Sequence, residues 1–110
     1  MDLPIVKDIK KSENQITLIL NFSESAIYFQ GHFPQMAILP GFIQIHFVMY
    51  FAAQYFPVSS KVTNMKKLRF TKIIKPNCDI NLEVKNDKSG KITFRYFSDK
   101  AQYSSGEICQ

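Results

Sequence analysis

Fifteen consecutive residues, 42–56, carry no formal charge and lie between Pro40 and Pro57. The run is too long for an ordinary strand and has the length of a helix. Pro40 is tolerated in a first helical turn, and Gly41 allows a backbone or a ligand to come close. Pro57 ends the helix. A helix apolar nearly all round is expected to be wrapped by other elements rather than to lie on a surface. Its polar residues are ordered: His46, Tyr50 and Gln54 fall on one stripe at i, i+4 and i+8, and Gln44 points elsewhere. On a buried helix such a stripe needs partners, because each unsatisfied polar group costs about 1–3 kcal/mol. The run is too short for a hydrocarbon core of about 30 Å, and its polar residues also argue against a membrane span.

The flanking sequence reads as strands. Residues 4–9 suggest a short first strand. From Gln15 to Phe22, Ile16, Leu18, Leu20 and Phe22 alternate with Gln15, Thr17, Ile19 and Asn21, the pattern of a half-buried strand. Beyond the helix, 61–74 reads as one long basic strand broken by Lys75-Pro76-Asn77. Ile80, Leu82 and Val84 alternate with polar residues. Asp87-Lys88-Ser89-Gly90 reads as a hairpin turn, Ile92, Phe94 and Tyr96 as the next strand, and 101–109 as the last. One long helix and a meander of strands give an α+β class, with 1–110 as a single domain. Ten Phe and five Tyr without Trp imply a core built from rings. Cys78 and Cys109 lack metal spacing and read as free thiols. With no secretory signature at the start, the expected location is cytoplasmic.

The net charge of +5 is unevenly placed. Residues 1–60 hold three basic and four acidic side chains, and 61–110 hold eleven and five. Lys61, Lys66, Lys67, Arg69, Lys72 and Lys75 follow one another without an intervening acid. This segment is either a solvated strand face or a docking surface for an acidic partner. No nucleic-acid motif accompanies it.

Both histidines of the chain sit in or beside the helix. The segment Gly31-His32-Phe33-Pro34, followed by Leu39-Pro40-Gly41, resembles the signature of hot-dog-fold 3-hydroxyacyl-acyl-carrier-protein dehydratases, the FabZ/FabA family. Leu68-Arg69-Phe70-Thr71-Lys72-Ile73-Ile74-Lys75-Pro76-Asn77-Cys78-Asp79 is similar to the second conserved strand and turn of that family. The stretch from Tyr28 to Pro34 and the region Gln44-Ile45-His46 are closest to the smaller ApeI-type branch, associated with aryl polyene and related acyl pathways.

The resemblance implies a single hot-dog domain, a long central helix wrapped by a curved antiparallel sheet. It also implies dimers whose sheets join, with each active site at the interface. There the loop histidine of one subunit, matched by His32, works with a helix acid of the other. The acid belongs fourteen residues beyond the histidine, where this chain has His46. The Gly41 amide would bind the thioester oxygen, with Phe33, Pro40 and Phe42 lining the substrate site. A loop proline common in the family is replaced by Ala37. No cofactor is implied beyond the phosphopantetheine of the acyl carrier protein, and Lys66, Lys67, Arg69 and Lys72 would dock that acidic carrier.

Dehydration needs a base for the C2 proton, a donor for the enolate oxygen and an acid for the departing hydroxyl. His32 suits the first role and a helix N-terminus at Gly41 the second. His46 either supplies the proton as an imidazolium or only hydrogen-bonds along its stripe. Three functions therefore stand: a carrier-dependent dehydratase, a hot-dog thioesterase, or a half-active subunit completed by a related hot-dog partner. The expected assembly is a homodimer or larger, or a hetero-oligomer with a related hot-dog subunit.

Overall fold

The computed structural model describes residues 2–29, 38–58, 62–87 and 89–110. Six strands, β1 (Ile5–Lys11), β2 (Gln15–Asn21), β3 (Asn64–Phe70), β4 (Asp79–Asp87), β5 (Lys91–Phe97) and β6 (Gln102–Cys109), form one antiparallel sheet. Their order is β1-β2-β4-β5-β6-β3. Between β2 and β3 runs α1 (Gly41–Tyr55), preceded by a 3₁₀ turn at Ile27–Phe29. This is the hot-dog arrangement expected, one helix on one face of a six-stranded sheet.

The alternation read from the sequence sorts each central strand into two faces. Ile16, Leu18 and Leu20 of β2, Ile80, Leu82 and Val84 of β4, and Ile92, Phe94 and Tyr96 of β5 turn toward the helix and are buried. Against them pack Ile43, Phe47, Val48, Phe51 and Ala52 of α1. Burying each large apolar side chain contributes about 1.5–3 kcal/mol. The helix itself has no side-chain cap and no charge in its first or last turn, so it depends on this packing. On the outer face the polar rows pair: Arg95 Nε donates to Glu83 at 2.7 Å, and Gln15 Nε2 donates to the same carboxylate at 2.9 Å.

Two expectations are corrected. The helix is not covered all round within the chain: Phe42 is 70% exposed, and His46 and Gln54 lie at the surface. Of the stripe, His46 and Gln54 therefore face outward, while Tyr50 is half-buried against Phe47 and Phe51. The segment 61–74 is not one strand either. β3 is shorter, and its pairing with β6 slips between Lys66 and Arg69, where Lys67 takes a left-handed φ of 55°. After Phe70 the chain leaves the sheet, with Thr71 and Lys72 N–H both donating to Tyr103 O.

β3 closes one end of the sheet. Its pairing sets Met65 opposite Ile108 and Phe70 opposite Ser104, so these side chains lie on the helix side. All seven β3 residues are exposed. Among the described residues no helix is long and apolar enough to cross a membrane.

Candidate functional site

Where the chain enters α1 the backbone is held from two directions. Leu39 N–H donates to Ile74 O at 2.9 Å, tying the entry to the segment beyond β3. Pro40 is the N-cap, in extended conformation, and its carbonyl accepts from Ile43 and Gln44, both at 3.1 Å. A proline cap brings no side-chain acceptor. The amides of Gly41 and Phe42 belong to the first turn, where no intrahelical acceptor exists, at the positive end of the helix dipole.

Gln44 fixes this corner. The residue is 3% exposed, its Nε2 donates to Leu39 O at 3.1 Å, and its Oε1 accepts from Ser104 Oγ at 2.6 Å. Its main-chain carbonyl accepts from Tyr96 Oη at 2.7 Å. One side chain thus joins the helix entry to β6, and its backbone joins the helix to β5. Burial pushes the Tyr96 hydroxyl far above its ordinary range, with Tyr28 adding to the effect, so it stays a neutral donor.

Beside the entry lies a cleft of about 310 Å³ lined by Leu39, Pro40, Gly41, Gln44, Phe70, Lys72 and Ile73. Phe70 covers Gly41 closely: a Cβ at position 41 would sit 3.0 Å from its ring. A side chain here would press on that ring, so glycine matters at this position through close approach and not through backbone angle. The cleft thus lies against the first turn of α1 at Gly41, and free amides of a first turn suit a carbonyl oxygen gaining negative charge.

The other expected site residues are distributed as follows. Phe42 and His46 share the open helix face, one turn apart. The His46 ring lies 6.5 Å from that of Tyr50 in a stacked arrangement and 5.1 Å from that of Phe47, edge-on. His32 and Phe33 lie outside the described residues, as does Ala37. The described chain leads up to them at Tyr28 and Phe29, whose rings are 5.2 Å apart and both buried. Tyr28 Oη is buried without a hydrogen-bond partner among the described residues. Burial, with Asp2 second, raises its pKa to about 12.

The four basic residues expected to act together are divided by the fold. Lys66, Lys67 and Arg69 stand on β3, and Lys72 lies beyond it at the helix-entry cleft. Lys67 Nζ is 3.3 Å from Glu107, an acid on β6 that the run of bases in the sequence does not reveal. Lys67 and Arg69 also border a shallow outer-face cleft of about 420 Å³ with Lys85, Arg95, Glu83 and Glu107. Among the described residues no three His, Cys, Asp or Glu side chains gather so as to hold a metal ion.

Sequence reasoning set Gln44 aside as the residue off the stripe. Its place off the stripe, on an otherwise apolar side of the helix, was the available signal, but its partner Ser104 lies sixty residues away.

A family model described as ApeI-like, ApeI dehydratase, matches residues 8–107. Among solved structures, the dehydratase heterocomplex ApeI:P from Xenorhabdus doucetiae contains a chain 27% identical to this one. It superposes with a TM-score of 0.87 over 97% of this chain and 98% of that one. An uncharacterized protein from Erwinia carotovora subsp. atroseptica is 25% identical, with a TM-score of 0.78 over 97% and 93%. No curated protein matches.

Proposed function

The chain belongs to the ApeI-like dehydratase family, and from that membership we propose that it is a hot-dog dehydratase subunit acting on 3-hydroxyacyl thioesters borne on the phosphopantetheine of an acyl carrier protein. The observation that carries this reading is the family match across residues 8–107, which includes the uncapped helix entry at Gly41 beside an apolar cleft. In this reading the thioester oxygen accepts from the Gly41 amide. His32 removes the C2 proton, the C2–C3 double bond forms as the C3–O bond breaks, and the hydroxyl leaves as water once protonated. Lys72, at the cleft, is the cation best sited to meet an acidic carrier as its arm enters.

The source of the leaving proton separates two forms of the proposal. His46 can donate as an imidazolium, which makes the chain sufficient with a second copy. Alternatively a different hot-dog subunit provides a carboxylate. The second form is favoured by one specific observation: a solved relative with a TM-score of 0.87 comes from a dehydratase described as a heterocomplex.

The deciding experiment follows a 3-hydroxyacyl pantetheine or carrier thioester with the purified chain, alone and with a candidate partner subunit. Enoyl thioester from the chain alone supports the first form, and enoyl thioester only after the partner is added supports the second. Release of free acid without enoyl product would overturn the dehydratase reading in favour of thioester hydrolysis.

A further inference from the structure

The exposed edge strand β3 has two faces of different kinds. On the helix side Met65, Leu68 and Phe70 form an apolar row, 41%, 38% and 47% exposed. Phe70 reaches over Gly41, so this row runs on toward Phe42 on the open face of α1. On the outer side Lys66, paired with Glu107, and Arg69, paired with Ser105, point away from the helix. Lys67, in the bulge between them, turns the same way to reach Glu107. A strand with a free row of backbone donors and acceptors and an exposed apolar row is a template for another strand.

A second copy of this chain is the first occupant to consider. Any antiparallel pairing of β3 with itself that matches apolar row to apolar row also matches the outer rows. Lys66, Lys67 and Arg69 of one copy would then lie beside the same three of the other. The charges are not neutralised from within: Glu107 is shared between Lys67 at 3.3 Å and Lys91 at 3.7 Å. Lys66 and Arg69 have no ion pair among the described residues. Like charges facing across neighbouring strands oppose pairing. The bulge at Lys67 adds a second obstacle, since bulges and lysines are the usual guards against indiscriminate edge pairing. The opposite edge differs, because β1 carries Asp8 among its lysines.

We infer that β3 discriminates against a second copy of this chain and selects a different subunit of the same architecture, one whose edge strand sets an apolar row against Met65, Leu68 and Phe70 and carboxylates against Lys66 and Arg69. The inference rests on the dehydratase reading only in taking the partner to be another hot-dog subunit. Specificity here is a difference between two pairings, built from repulsion in one and attraction in the other.

The test makes an acidic edge within this chain. Lys66→Glu/Arg69→Glu keeps the Lys67–Glu107 pair and supplies the complementary strand. Wild type and the double variant are mixed and their dimers counted by native mass spectrometry, at about 0.05 M salt and then at higher salt. The expected result is a mixed dimer tighter than the wild-type homodimer by about tenfold or more, a difference of about 1.4 kcal/mol. Wild-type self-association should strengthen as salt rises. A wild-type homodimer as tight as the mixed one, or one that salt does not strengthen, overturns the inference, and the occupant is then a second copy. Should the acidic variant fail to fold, Lys66→Gln/Arg69→Gln must self-associate more tightly than wild type, and failure to do so is equally fatal. Turnover is read separately: enoyl product without preferential mixing sinks the edge inference alone, and preferential mixing with release of free acid and no enoyl product sinks only the dehydratase reading.

Discussion

Ser104 Oγ, on β6, donates to Gln44 Oε1, on α1, at 2.6 Å in the interior of the protein. Neither group has water as an alternative, since the residues are 1% and 3% exposed. Ser104→Ala leaves Gln44 Oε1 without its donor and should lower stability by about 1–3 kcal/mol. Gln44→Leu leaves Ser104 and Leu39 O unpaired and should cost a similar amount. The double variant should lose less than the sum of the two, because the apolar pair leaves fewer orphan groups. Urea unfolding of the four proteins measures the coupling.

Gly41→Ala places a methyl group 3.0 Å from the Phe70 ring. The ring is half-exposed and can swing, so the stability loss should stay below about 1 kcal/mol. The larger effect should be on substrate entry, with KM raised more than kcat is lowered. Phe70→Leu in the same chain should restore KM by vacating the space. An unchanged KM for Gly41→Ala would remove the helix-entry cleft from the substrate path.

His46 is exposed, so His46→Ala should change stability by no more than about 0.5 kcal/mol. If it protonates the leaving hydroxyl, kcat should fall by about 10²–10⁴. His46→Glu should then recover part of that loss, because a carboxyl group would stand where the family carries one. Activity that appears only with His46→Glu would identify the natural chain as the half-active member of a pair.

Tyr28, together with Tyr96, gives the stability an alkaline limb. Its pKa is raised in the fold from about 10 to about 12, which means that folding favours the neutral hydroxyl. Its contribution is therefore complete below pH 10 and is lost as pH climbs through 12. Tyr28→Phe should remove this share of the alkaline loss and leave that of Tyr96. At neutral pH it should be harmless or stabilising, because the hydroxyl it removes is buried without a partner among the described residues. Tyr96→Phe should instead destabilise at neutral pH by about 0.5–1.5 kcal/mol, since that hydroxyl donates to Gln44 O. Denaturant unfolding at stepped pH distinguishes the two.

Lys72→Glu should raise KM for a carrier-borne thioester severalfold and leave a free pantetheine thioester almost unaffected. Added salt should reproduce the effect on the wild type. Equal losses on both substrates would point to damage at the cleft itself.

The elements were legible where a pattern was local. The uncharged run announced α1, and alternation in Ile16–Leu20, Ile80–Val84 and Ile92–Tyr96 gave both the strands and the faces they bury. β3 was overextended because a run of lysines carries no period to mark its end. Its bulge is a matter of register against β6, a strand some forty residues away. The outward stripe of α1 was likewise hidden, since helical spacing groups His46, Tyr50 and Gln54 without saying what covers them. The helix entry was readable as Pro40-Gly41, but the Gln44–Ser104 lock was not. A single amide and a single serine acquire meaning only when the sheet brings them together.

Among the described residues β3 has one neighbour in the sheet, β6, which is the last of the six strands in chain order. As the chain leaves the ribosome, β3 therefore emerges well before the strand that will hold it. Throughout the synthesis of β4 and β5, Met65 and Leu68 lack the β6 residues they pack beside, and both margins of the strand stand open. Nascent chains are most prone to clump in such an interval. The cations interleaved with that row keep the waiting segment in water, so Lys66, Lys67 and Arg69 have work to do before the domain exists.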